Sequence, residues 1–155
     1  MKVMKFGGTS VGAPDRILGV VRLVTEAAAT DRIVVVVSAF GGVTNALIEA
    51  ANRAVACSPA WRQDLDAIER RHLDAVGDLA AEGERVALKD AVAQSTDDLR
   101  GLLHGVSLVR ECTARTLDSI VSFGERLSAL IVAAAFRASG CEANACDSRS
   151  LVVTD

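Results

Sequence analysis

Lys5, Gly7, Gly8, Thr9 and Ser10 stand together in the stretch KFGGTS, directly after a short, largely apolar strand. A cation at a strand end, followed by two glycines and two hydroxyls, is a set that can hold an anion. The glycines let the backbone come close to a ligand, successive N–H groups point into one space, and the ammonium adds a full charge. The order of residues excludes the two common nucleotide loops. A Walker loop carries its lysine after the glycines, and the dinucleotide fingerprint needs G-x-G-x-x-G. With Lys5 first, the set suits a phosphoryl group in transfer, whose equatorial oxygens gain charge that fixed donors and one cation can meet. A surface lysine beside a tight turn explains the same letters equally well.

A second loop, SAFGGVTN, offers the hydroxyls of Ser38 and Thr44. Thr44 stands just before a helix, where the simpler role is a cap. Further on, SFGERLSA sets Glu125 three residues after Ser122, the S-x-x-E spacing of a capping box, in which the glutamate reaches back to a backbone N–H. A carboxylate inside so apolar a segment is costly unless paired, so a bound ammonium is the alternative partner.

These residues need elements to position them. Residues 2–6 read as a strand, and Pro14 can open a helix in which Ile17, Val20, Val21, Val24 and Ala28 recur at helical spacing. RIVVVVSAF, residues 32–40, is a continuous β-branched run, the pattern of a strand covered on both faces of a parallel sheet. A strand–helix–strand unit with a right-handed crossover places residues 7–12 and 38–44 at one carboxyl edge. From about Ala46 to Leu117 the texture is that of a helical insertion, with a break at CSPAW and weaker ones near Gly77, Gly83 and Gly105. Its charge run DLDAIERR reads as a solvated face, and Trp61 as a packing anchor. Residues 119–140 predict a long buried helix, broken or begun near Phe123 and Gly124 and closed by Gly140. CEANACDSRSLVVTD predicts a strand around residues 141–147 and the start of a further element. Parallel sheets typically carry about five or six strands, so a chain with so few reads as cut short.

Composition narrows the partners. The 155 residues suffice for one domain or a large part of one, with 50% hydrophobic and 24% charged residues and a net charge of -3. No basic patch exceeds ERRH at residues 69–72 and tyrosine is absent, which argues against nucleic acid. Cys57, Cys112, Cys141 and Cys146 form no CxxC pair, and His72 and His104 lie far from them, so no metal site is expected. Buried or incidental free thiols in a reducing cytosol are the simplest reading. No signal peptide and no apolar run of membrane-spanning length is evident, so a cytoplasmic location without a membrane is expected.

Taken in order, KFGGTSV, VVVVSAFGGVTN and SFGERLSA resemble the amino-terminal half of an aspartokinase catalytic domain, within the amino-acid kinase superfamily. The resemblance covers essentially the whole chain. The helical insertion and CDSR most resemble the aspartokinase part of bifunctional aspartokinase–homoserine dehydrogenases. The resemblance implies an α/β fold, a three-layer αβα sandwich with a mainly parallel sheet. It also implies phosphorylation of the β-carboxylate of L-aspartate by ATP with Mg, giving 4-phospho-L-aspartate, the first step of lysine, threonine and methionine biosynthesis. On it, Lys5 stabilises the transferring phosphoryl group, with Gly7 and Gly8 as backbone donors and Thr9 and Ser10 in the same loop. Ser38 and Thr44 fall on hydroxyl positions of the aspartate site, and Glu125 on the carboxylate that holds the substrate's ammonium. The ATP-binding half, the regulatory ACT domains and a dehydrogenase domain belong to carboxyl-terminal portions of such proteins. The chain is thus expected to be a catalytically incomplete, substrate-side portion of a protein that is a homo-oligomer at full length. The alternatives are a kinase acting on glutamate or acetylglutamate, which the KFGGTSV–GERLSA pairing disfavours, and a non-catalytic aspartate-binding or assembly module.

Overall fold

Strands β1 (Lys2–Phe6) and β2 (Ile33–Val37) pair in parallel, with Lys2 opposite Ile33 and Phe6 opposite Val37. The computed structural model describes residues 1–151. Helix α1 (Pro14–Ala28) joins the strands, with Pro14 as its first residue, as its missing N–H allows. The expected α/β architecture with a parallel sheet is present. Met4, Phe6, Ile33, Val35 and Val37 alternate onto the face packed against the core. Val3, Val34 and Val36 lie on the other face and are 65%, 46% and 42% exposed. Cover on both faces of β2, expected from its unbroken apolar run, is therefore absent among the described residues, where helices pack on one face only.

Helices α2 (Val43–Val55), α3 (Trp61–Leu79), α4 (Arg85–Val109) and α5 (Ala114–Ala138) pack on one another. Leu47, Trp61, Leu65, Leu99, Leu103, Leu127 and Ile131 fill the space between them and are essentially inaccessible. Trp61 is the packing anchor expected. The CSPAW break separates α2 from α3, and a 3₁₀ turn at Glu82–Glu84 separates α3 from α4. Gly77 and Gly105 break nothing and lie inside α3 and α4. One interior glycine costs about 1 kcal/mol relative to alanine, which burial of Val76, Leu79, Leu103 and Val106 beside them outweighs.

Helix α5 begins well before residue 119. Thr113 caps it, its hydroxyl accepting the Thr116 N–H at 3.1 Å, and the helix runs unbroken through Phe123 and Gly124. It closes as expected at Gly140, whose φ of 81° is left-handed. The Gly140 N–H donates to Arg137 and the Cys141 N–H to Phe136, a Schellman end. By length and mean hydropathy (1.5) α5 does reach membrane-spanning character, contrary to the reading of the sequence, but most of that stretch is buried as the core helix of this fold.

The strand expected around residues 141–147 does not form. CEANACD lacks β-branched and aromatic residues, and the segment is held by side chains instead. Arg137 donates to the Ala143 carbonyl at 3.0 Å while forking onto the Glu84 carboxylate, and the Thr25 hydroxyl meets the Cys141 thiol at 3.2 Å. Asp147 is doubly held by the Arg149 guanidinium, which pulls its pKa down to about 2. The further element expected at the end of the chain falls partly on residues 152–155, outside the described residues. None of the four cysteines is buried: Cys57 and Cys146 are exposed, and Cys112 and Cys141 half-buried.

Candidate active site

Both glycine loops lie at the carboxyl ends of β1 and β2, as the βαβ reading requires, and the structure shows how tightly they interlock. A Cβ on Gly8 would stand 2.9 Å from the Ala39 carbonyl oxygen, and one on Gly41 3.1 Å from the Gly8 carbonyl oxygen. Backbone meets backbone here, with no room for a side chain between. Gly7 has no such neighbour within 4 Å, so packing inside this chain does not account for its being glycine.

Helix α2 starts one residue ahead of Thr44. Gly42, at φ 85°, is its N-cap, and no side chain caps it. The cap role for Thr44 is therefore excluded: Thr44 is inside the first turn, half-buried, with its hydroxyl uncommitted. An uncapped helix N-terminus leaves N–H donors and a partial positive charge facing the loop. The N–H groups of Gly7, Gly8 and Thr9 also donate to no backbone acceptor among the described residues, while the Gly7 carbonyl accepts from Ser10 and Val11.

Glu125 reaches this edge through its neighbour. A Cβ on Gly124 would lie 2.8 Å from the Ala39 Cβ and 3.3 Å from a Val43 methyl. Glycine there lets α5 press onto the residue after Ser38 and the residue before Thr44. The capping-box role is excluded, because Ser122 and Glu125 sit in the middle of α5 and Ser122 donates to the Ser119 carbonyl at 2.7 Å. Arg126, next in sequence, lies over the Phe123 ring at 4.4 Å and 3.5 Å from Asp147, leaving Glu125 without an ion pair among the described residues.

Lys5 stands opposite Val36 in register, on the uncovered face of the sheet, and is exposed. No direct hydrogen bond joins Lys5, Ser38, Thr44 and Glu125; the two loops meet backbone to backbone, and α5 meets the second through Gly124. Lys5, Thr9, Ser10, Ser38, Thr44 and Glu125 share one property, that none of their side chains has a hydrogen-bonded or ion-paired partner among the described residues. Elsewhere some charged groups pair with one another, Arg53 with Asp64 (2.6 Å), Arg100 with Asp66 and Glu69, Arg137 with Glu84. Others, such as Glu49 and Lys89, face solvent, so what sets the six apart is their gathering beside the two interlocked loops. No group of three or more His, Cys, Asp or Glu side chains among the described residues could hold a metal ion.

Two neighbours of the site lie in DLDAIERR and the residue after it, and the solvated-face reading of that run fails for them. Arg71 donates to the Gly41 carbonyl at 2.7 Å and to the Gly12 carbonyl at 2.9 Å. His72 is fully buried and stacks on Phe40 of the second loop, ring centroids 4.7 Å apart. Its Nδ1–H donates to the Ile68 carbonyl at 2.7 Å, and Nε2 is buried without a partner among the described residues. Burial is the main cause that pushes the His72 pKa below its ordinary value, so the ring packs as a neutral plate. The signal was present in sequence: Ile68, His72 and Ala75 mark the buried stripe of α3, and Arg71 lies three residues after Ile68 and four before Ala75.

The contact at Gly124 gives a test of sign. In a helix interior Gly→Ala ordinarily stabilises by up to about 1 kcal/mol. Gly124→Ala is expected to lower the melting temperature instead, because the added methyl overlaps Ala39, and overpacking costs about 1–3 kcal/mol. Gly101→Ala in α4, where nothing lies within 4 Å, is expected to raise it slightly. Thermal unfolding by circular dichroism decides, and a Gly124→Ala protein as stable as Gly101→Ala would mean that α5 does not depend on this approach.

Comparison with known proteins matches residues 1–154 to the amino acid kinase family. Aspartokinase 2, chloroplastic, of Arabidopsis thaliana is 35% identical over 135 residues, covering 85% of this chain and 24% of that protein. A bifunctional aspartokinase/homoserine dehydrogenase, chloroplastic, of Daucus carota is 28% identical over 153 residues, covering 99% of this chain and 16% of that protein. The chain thus spans about a quarter or less of the length of these relatives. Among solved structures, E. coli aspartokinase III in complex with aspartate and ADP (R-state) superposes with a TM-score of 0.77 at 27% identity, over 89% of this chain and 29% of that one.

Proposed function

This chain belongs to the amino acid kinase family, and from that membership we propose that it forms the aspartate side of an aspartokinase active site. The reaction is attack of a β-carboxylate oxygen of L-aspartate on the γ-phosphorus of ATP. The bond from that phosphorus to the β–γ bridging oxygen breaks, ADP leaves, and 4-phospho-L-aspartate forms. The observation that carries this reading is the set of polar side chains left without internal partners around interlocked loops. Aspartate presents two carboxylates and one ammonium, and the chain offers two hydroxyls, an uncapped helix start and one carboxylate, a complementary set. In this reading Glu125 takes the ammonium, and Ser38 and Thr44 donate to substrate oxygens. Lys5 and the N–H groups of Gly7 and Gly8 meet the charge that grows on the phosphoryl oxygens, with Thr9 and Ser10 beside them. Gly7, which packing does not explain, is the residue that a closely approaching phosphate would require. The aspartate and ADP named with the E. coli relative support the same substrates.

Among the described residues no group of three or more His, Cys, Asp or Glu could hold a magnesium ion by itself; such an ion ordinarily takes phosphate oxygens, water and one or two carboxylates. In this reading adenine and ribose contacts come from sequence other than these residues, so the chain alone is expected to bind aspartate without turnover. The test is calorimetric titration of the chain. Saturable heat with L-aspartate, and none with L-glutamate or N-acetylglutamate, is the expected result. No heat with aspartate would overturn the reading in favour of an assembly module, and preferential heat with glutamate or acetylglutamate would assign the site to another amino-acid kinase.

A further inference from the structure

Arg71 belongs to α3, outside every motif that suggested the site, yet its guanidinium reaches two of them. It donates through one nitrogen to the carbonyl of Gly41 and through another to that of Gly12, residues 30 and 59 positions away in sequence. Gly12 lies in the loop that follows β1, and Gly41 in the loop that follows β2. The same guanidinium stands 5.8 Å from the centre of the Phe40 ring, on which His72 is stacked. One turn of α3 therefore grips the second loop by ring and carbonyl and the first loop by carbonyl.

The chemistry of the grip matters. A bidentate guanidinium is planar and fixes the direction between its two acceptors, which an ammonium cannot do. Both acceptors are neutral carbonyls, and Arg71 makes no ion pair among the described residues, although Asp74 and Asp78 line the same cavity. A preorganised site needs its donors held within a fraction of an ångström. Here Gly8 and Gly41 let the loops approach with no side chain between them, and Arg71 supplies an attraction that holds the two loops together.

We propose that Arg71 is a positioning residue that locks the two glycine loops into one anion-binding edge. The locking follows from the geometry alone, whereas its effect on substrate rests on the aspartate-side reading above. The test is backbone amide exchange by NMR on the chain, with aspartate titration alongside. In Arg71→Met, the hydrogen-bonded amides of Ser10 and Val11 in the first loop and Val43 at the second are expected to exchange about tenfold faster or more, the loss of roughly one charge-assisted hydrogen bond. Amides of Leu99 and Leu103 in the α4 core are expected to keep their rates. Aspartate affinity is expected to fall about tenfold in Arg71→Met. Arg71→Lys, which keeps the charge and can hold one carbonyl, is expected to recover part of both losses. Unchanged loop exchange in Arg71→Met overturns the proposal. So does acceleration of loop and core amides by the same factor, because Arg71 would then serve only global stability. If the unmodified chain binds no aspartate, the proposed function fails while the exchange comparison still decides the locking role.

Discussion

Replacing Lys5 by methionine is expected to lower kcat for aspartate phosphorylation roughly 10²–10³-fold while leaving KM for aspartate within about twofold. The measurement needs a form of the kinase that turns over, with circular dichroism as the folding control. The reasoning starts from where Lys5 is placed. It is the last residue but one of β1, faces away from the helices, and has no partner among the described residues, so the fold draws little from its charge. Methionine keeps the length and apolar stem of the side chain and removes only the ammonium. A charge that meets the phosphoryl oxygens only as they become more negative acts in the transition state and contributes little to holding aspartate. Removing it therefore depresses kcat without a matching rise in KM. Near-native kcat in Lys5→Met would reduce Lys5 to a surface charge at a strand end and remove the mechanism offered for KFGGTS.

The parts of this site legible in sequence are those set by local rules. Strand β1, the helix start at Pro14, the apolar run of β2 and the glycine closing α5 each follow from the backbone limits or burial pattern of a few neighbouring residues. The βαβ unit then places the two loops on one edge by handedness alone. What sequence left undecided depended on partners far along the chain. Ser122 and Glu125 have capping-box spacing, and only the true start of α5 at Thr113 shows that spacing to be idle. Thr44 looked like a cap until Gly42, with its left-handed backbone, took that position. The segment at 141–147 reads as a strand, but its Ala143 carbonyl is taken by Arg137 and its Asp147 side chain by Arg149 instead. The spacing of Arg71 beside the buried stripe of α3 is visible in sequence, but what it holds is not, because a mixed-charge run on a helix ordinarily faces water. The acceptors it serves, Gly12 and Gly41, are carbonyls, and a carbonyl leaves no trace in a sequence.

Glu125→Gln is expected to weaken aspartate binding about 10–150-fold, the equivalent of about 1.5–3 kcal/mol for a hydrogen bond to a charged group, with little change in melting temperature. Glutamine preserves the size of the side chain and most of its helix propensity, and Glu125 contributes no cap and no ion pair among the described residues for the substitution to break. The loss would therefore be confined to whatever cation the carboxylate meets. If that cation is the substrate's ammonium, succinate provides the control, since it has both carboxylates of aspartate and no ammonium. Succinate is expected to bind the unmodified chain more weakly than aspartate does, and to bind Glu125→Gln about as well as it binds the unmodified chain. Calorimetric titration of both proteins with both ligands isolates the pairwise term as a cycle. Equal losses for aspartate and succinate would mean that Glu125 shapes the loop beneath Ser38 and Thr44 without touching the ammonium. A loss for aspartate alone places one negative charge of this chain opposite the one positive charge of the substrate, and so fixes which end of aspartate faces α5 and which end is left for the phosphoryl group at Lys5.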